Sequence, residues 1–226
     1  MRAPGQASMI GLMSNRLADA EPRWPVLLAL GAVAGLHFAL PEVLSFGPRW
    51  WLVAAFAVLA TVVSILHKRG DEQQAYVVGL LLLGFVTLAL IASLVLLIRS
   101  LPAHSVVPVH LLQSAASLWI SNVLIFAAWY WKLDAGGPMR RERTKRHELG
   151  AFLFPQMALH EHNPLKSDNW HPSFIDYLFL SFNTSTALSP TDTEILSRWA
   201  KVLMMLQSLM SLTIIVLLAA RAVNML

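Results

Sequence analysis

An all-α fold of several membrane-spanning helices is what this sequence predicts, on three observations. Hydrophobic residues make up 56% of the 226-residue chain and charged residues only 13%, against about 25% charged in soluble domains. The missing charge is absent from long blocks rather than thinned evenly, as in a chain that crosses a hydrocarbon core about 30 Å thick. Aromatic residues then gather at the block edges, at Trp24, at Trp50 and Trp51, at Trp129, Tyr130 and Trp131, and at Trp199. That is the interfacial belt of rings at headgroup level.

Five blocks approach the roughly 20 residues a helical span needs. They cover 24–44, 50–66, 75–98, 106–131 and 199–225. The third contains no charged residue and is the clearest span; the second is the shortest. Residues 1–22 are polar, with no short apolar core followed by a small-residue cleavage site, so the first span is expected to be retained. The expected organisation is a polar tail (1–22), four spans (23–131), a basic loop segment (132–172), then a re-entrant half-helix with a fifth span (173–226).

Loop charge sets orientation. If all five blocks cross, one side holds Arg2, Arg16, Arg23, Lys68, Arg69, Lys132, Arg140, Arg141, Arg143, Lys145, Arg146, Lys166 and Arg198, and the other only Arg49, Arg99 and Arg221. The positive-inside rule places the N-terminus in the cytoplasm and the C-terminus outside. The excess of 17 Lys and Arg over 13 Asp and Glu therefore reads as topology and contact with anionic lipid, and no nucleic-acid partner is expected. No cysteine is present, which removes disulfides and thiolate metal sites, and no cofactor is expected.

Gly136, Gly137 and Pro138 should break the fourth helix before the one charge run, 134–150. Arg140, Arg141, Arg143, Lys145 and Arg146 form either a solvated juxtamembrane stop signal or a site for anionic lipid headgroups.

The segment 173–186 is too short to span. It opens with Pro172 and Ser173, and Asp176 three residues on makes an aspartate version of the capping box. It ends in the polar patch Asn183, Thr184, Ser185 and Thr186. A second start signal follows, Pro190 and Thr191 with Glu194, from which the last span is expected to begin. A half-length helix, a polar turn and a full helix form the plan of a pore-loop hairpin.

Asp176-Tyr-Leu-Phe-Leu-Ser-Phe-Asn-Thr-Ser-Thr186 resembles the pore helix of two-helix potassium channels, with Asp192 near the acidic residue after their filter. The filter itself departs: Thr186-Ala-Leu-Ser-Pro-Thr-Asp192 has no glycine to turn successive carbonyls onto an axis, and Pro190 fixes its own φ. Ala187, Leu188 and Ser189 are expected to avoid the glycine-type backbone. The charge rule also puts the hairpin on the cytoplasmic side, opposite to those channels. Phe154-Pro-Gln156, Asp176-Tyr-Leu178, Ser189-Pro-Thr-Asp192 and Ala219-Ala-Arg-Ala-Val-Asn-Met-Leu226 resemble a family of bacterial membrane proteins with no assigned activity, which implies the bacterial inner membrane.

Other constellations are weaker. His160, Glu161 and His162 with His171 suggest a metal, but an i, i+2 pair does not share a helix face and no HExxH is present; a surface loop is the simpler reading. His110, Gln113, Ser114, Ser117 and Ser121 form a polar stripe, and Gln207, Ser208 and Ser211 another. Both fit helix packing or a water-lined path. His37 inside the first span is expected neutral and facing the bundle, while Lys201 and Arg221 should snorkel to opposite interfaces.

No serine elbow, phosphate loop or dinucleotide motif appears, so an enzyme is not expected. The leading expectation is a homo-oligomeric pore in which Asn183, Thr184, Thr186, Ser189 and Asp192 offer oxygens to a hydrated cation with weak or no potassium selectivity. The alternative is a non-conducting scaffold or partner subunit.

Overall fold

The computed structural model describes residues 23–41, 44, 48, 50–100, 108–138, 140–141, 150–159, 170–190 and 192–223. Among them are six α-helices: α1 (Trp24–Phe38), α2 (Trp51–Lys68), α3 (Glu72–Ser100), α4 (Pro108–Leu133), α5 (Phe174–Thr186) and α6 (Arg198–Val223). One small ladder joins β1 (Phe152–Leu153) to β2 (Glu194–Ile195). The chain is all-α in class. Three helical stretches, Gln73–Ser100, His110–Gly136 and Arg198–Ala220, are long and apolar enough to cross a membrane; Trp24–Phe38 and Trp51–Leu66 are shorter apolar helices.

Helix ends follow local chemistry. α1 carries a proline in its first turn, where the missing N–H costs nothing. It stops at Phe38, short of the expected block 24–44, with the Ala39 N–H bonded to Gly35 O at 3.1 Å and Pro41 just beyond. Its 15 residues reach about 22 Å at 1.5 Å per residue. α2 ends at Gly70, whose φ of +81° lets the chain turn back so that the Asp71 N–H reaches Leu66 O at 3.1 Å. α4 ends in a 3-10 turn, Asp134–Gly136. Ala135, Gly136 and Gly137 there take φ of +49°, +79° and +90° in succession. At Gly137 a side chain is also excluded by space, since a Cβ would stand 2.8 Å from Lys132 O and 3.2 Å from Tyr76.

α4 is the central helix. Ile125, Phe126, Ala127 and Ala128 are fully buried in succession, so α4 is enclosed on every side along this stretch. α1 to α4 alternate in direction. His37 of α1 meets Trp51 at the start of α2 while Gly31 faces Phe56, and Tyr76 near the start of α3 meets Lys132 at the end of α4.

The last helices break this alternation. Ser181 and Ser185 of α5 pair with Gln207 and Ser211 of α6 in the same order, so α5 and α6 run parallel. Parallel neighbours need a return leg, which is the segment 187–197. It comes back to the end where α5 began: β2 pairs antiparallel with β1, and the Leu196 N–H bonds Ala151 O at 2.8 Å. α5 is thus a half-length helix with a return. The expected start of α6 at the Thr191 and Glu194 cap is corrected here. Glu194 lies in β2 and Thr191 outside the described residues. The helix begins at Arg198, with Ser197 Oγ accepting the Ala200 N–H at 3.3 Å. Strand pairing uses the extended backbone at 194–195, which a helix start there would forfeit.

Candidate functional site: a buried polar seam around the half-helix

Tyr177, Ser181 and Ser185 recur every four residues on α5, so they share one face. All three are fully buried. They form the spine of a polar seam between α4, α5 and α6.

At the outer end stands Asp134, just past α4 and fully buried. Its Oδ1 accepts the Ala151 N–H at 2.5 Å and its Oδ2 accepts the Tyr177 hydroxyl at 2.6 Å. Arg141 folds back over the same point, its Nη1 donating to Asp134 O at 2.8 Å and Trp131 O at 3.1 Å. Its guanidinium also lies 5.7 Å from the Tyr177 ring and 6.0 Å from Trp131. Phe152 packs edge-on against Tyr130, Tyr177 and Trp199 at 5.2–6.2 Å, and Phe154 against Tyr177 and Trp170 at 5.4 and 6.0 Å. The 150–157 segment therefore plugs this end with aromatic rings.

The middle of the seam is Gln207. Its Nε2 donates to Ser181 O, Ser181 Oγ and Ser185 Oγ at 2.8, 2.7 and 2.8 Å, and its Oε1 accepts the Tyr130 hydroxyl. Ser181 Oγ in turn donates to Val123 O at 2.7 Å. Deeper, Ser211 Oγ donates to Ser185 O at 2.6 Å and accepts from Trp119 Nε1 at 3.1 Å. Asn122 Nδ2 makes long contacts to Gln207 O and Ser185 Oγ, 3.4 and 3.5 Å, while its Oδ1 is buried without a hydrogen-bond partner.

The residues expected to form a pore constriction are placed differently. Thr184 is buried and its hydroxyl donates to Leu180 O of its own helix at 2.8 Å. Thr186, exposed, does the same to Phe182 O at 2.9 Å. Asn183 is half-buried with Nδ2 unpartnered, Ser189 is half-buried and Asp192 lies exposed in a turn. Within one chain these side chains do not converge on the seam. Leu188, expected to shun the glycine-type backbone, adopts φ +53°. It is the left-handed residue just past the helix end, the position glycine usually holds.

The start cap of α5 has the geometry its spacing suggests: Asp176 Oδ2 accepts the Ser173 N–H at 2.7 Å and its hydroxyl at 2.9 Å. Arg141, grouped with the lipid-facing cations, is instead buried against Asp134, because the turn at 134–137 directs it inward. Arg140 is exposed, and Arg143, Lys145 and Arg146 lie outside the described residues. So do His160, Glu161 and His162, while His171 is exposed. Among the described residues no group of three metal-ligating side chains occurs. His37 is buried and borders a small cavity with Ser117 and Ser121. Ser114 and Ser117 return their hydroxyls to their own helix at 2.6 and 2.9 Å.

Gln207 and Ser211 are legible in the sequence as a stripe. Asn122, Tyr130, Asp134 and Ser181 do not stand out as members of a site. The signal that could have found them is the four-residue spacing of Tyr177, Ser181 and Ser185 in an otherwise apolar helix. No protein-family model, curated protein or solved structure matches the chain.

Proposed function

We propose that the chain is a multi-pass protein of the bacterial inner membrane, with its N-terminus cytoplasmic, and that it serves as a non-conducting scaffold or partner subunit rather than an enzyme. Support for the membrane comes from the outer surface. Leu81, Leu88, Val202 and Met205 are 64–68% exposed, and α6 is apolar yet only 28% buried over its span-length window. Water would penalise such a surface; lipid does not. The bacterial inner membrane is what the family resemblance implies, and the orientation rests on loop charge. Five crossings and a half-helix that dips and returns fit the alternating directions of the helices.

The observation that carries the scaffold reading is the closure of the seam within one chain. The polar face of α5 is consumed by Gln207, Ser211, Asp134 and the Val123 carbonyl. Its outward residues Ile175, Phe179 and Phe182 are exposed hydrophobics, unsuited to line a hydrated path. The pore reading keeps one specific support: Thr186 and Asp192 are exposed at the turn, where a symmetric oligomer would repeat them as rings.

Purified protein in liposomes separates the two. The scaffold reading expects ion flux no greater than that of empty vesicles at any voltage or pH. Flux that falls on Asp192→Asn, from an assembly of unchanged size, would replace it with the pore reading. Orientation is tested by C-terminal reporter fusions, expected to be active outside the cytoplasm.

A further inference from the structure

We propose that Lys132, held against Tyr76 at the cytoplasmic end of the bundle, binds the phosphate of an anionic phospholipid headgroup together with Arg23. This rests on the membrane reading above. Lys132 occupies the last turn of α4, and its Nζ lies 4.8 Å from the centre of the Tyr76 ring. Tyr76 and Gly79 are three residues apart on α3, one turn of the same face. The slot exists because position 79 has no side chain: a Cβ there would stand 2.6 Å from Lys132 Nζ and 3.1 Å from Cε. The ammonium is therefore seated by the fold rather than trailing in solvent, and Lys132 is half-buried.

What surrounds it points to an anion. Its ring contact supplies a weak partner for a cation, and among the described residues no carboxylate or carbonyl hydrogen-bonds the ammonium. The charged neighbour that acts on it is Arg23, a second cation. Holding two positive charges together repels unless an anion lies between them, and each ammonium hydrogen wants an oxygen acceptor. A phosphodiester supplies both a negative charge and oxygens. The setting favours one that belongs to a lipid: Trp24, beside Arg23, is 63% exposed, and Leu28 and Val77 nearby on α1 and α3 are exposed apolar residues, a surface suited to acyl chains below a headgroup.

The test is native mass spectrometry and lipid-vesicle partitioning of the full-length protein, with phosphatidylglycerol, phosphatidylcholine and inorganic phosphate as separate probes. Retention of phosphatidylglycerol over phosphatidylcholine is expected, and Lys132→Gln should lower that preference about fivefold, the effect of one basic residue at an anionic surface. Gly79→Ala keeps the charge but displaces the ammonium, and should reduce the preference in the same direction. Lys201→Gln, an exposed lysine away from the slot, should leave it unchanged. Equal preference in wild type, Lys132→Gln and Gly79→Ala overturns the proposal. Displacement of the lipid by millimolar inorganic phosphate would make this a free-anion site and also overturn it. Failure of the wild type to enter vesicles of either lipid would refute the membrane reading itself, whereas insertion without headgroup preference refutes only the lipid site.

Discussion

Replacing Gln207 by Leu should destabilise the protein by about 2–4 kcal/mol, and the seam shows why. The side chain joins three residues on two other helices, Tyr130, Ser181 and Ser185, through four contacts. Interhelical hydrogen bonds inside a bilayer average about 0.6 kcal/mol each, so three partners account for about 2 kcal/mol. The rest comes from the Tyr130 hydroxyl, fully buried and left with no acceptor, an orphan that costs about 1–3 kcal/mol. Ser181 keeps its bond to Val123 O, which sets the upper limit. Unfolding of the detergent-solubilised protein by increasing dodecyl sulfate, followed by near-UV circular dichroism, measures the loss. Tyr130→Phe should cost about 1 kcal/mol by itself. The double variant should cost less than the two single losses combined, because the tyrosine hydroxyl is then gone and no donor is orphaned. Strict additivity would show that the seam does not hold α5 in place. So would a Gln207→Leu cost below that of Ser208→Ala, which alters a half-buried neighbour outside the seam.

Other substitutions probe separate parts of the hairpin. Asp134→Asn should cost about 1.5–3 kcal/mol, since both carboxylate oxygens accept from donors and an amide NH₂ would confront one of them; chemical unfolding checks it, and a neutral result would deny the carboxylate its anchoring part. Leu188→Gly should raise stability by about 1 kcal/mol, because φ +53° strains any residue with a Cβ; a lower melting midpoint would contradict the turn geometry. Ser197→Ala should cost about 1 kcal/mol by removing the acceptor of the Ala200 N–H, whereas Glu194→Ala should not act as a cap loss; equal costs would move the start of α6 back towards the strand.

Much of the architecture is readable along the chain. Residues 75–98 fall inside a single helix, Glu72–Ser100, because an uninterrupted apolar run needs no information from elsewhere to be helical. The half-helix 173–186 is legible for a similar local reason: Ser173 and Asp176 meet within one turn. The start of α6 is misread because two local signals conflict. Thr191 and Glu194 have cap spacing, but Glu194 pairs with Leu153, a partner far upstream that no local rule supplies. Leu188 is misread in the same way: its left-handed φ is unfavourable by itself and is imposed by the return of the chain towards Ala151.

By itself the sequence determined the helices, the apolar outer surface and the cap of α5, since each depends on composition or on contacts within a few residues. Only the tertiary structure decided where the polar groups go. Asn122 and Gln207 are 85 positions apart, and Tyr177 and Asp134 are 43 apart. The same serines and amides could have faced a water path, a symmetry axis or one another, because a hydroxyl's spacing on its own helix says which face it occupies but not what that face meets. Packing α5 parallel to α6 and against α4 closed those groups on each other, and that closure turned a segment with the outline of a pore loop into an internal clamp.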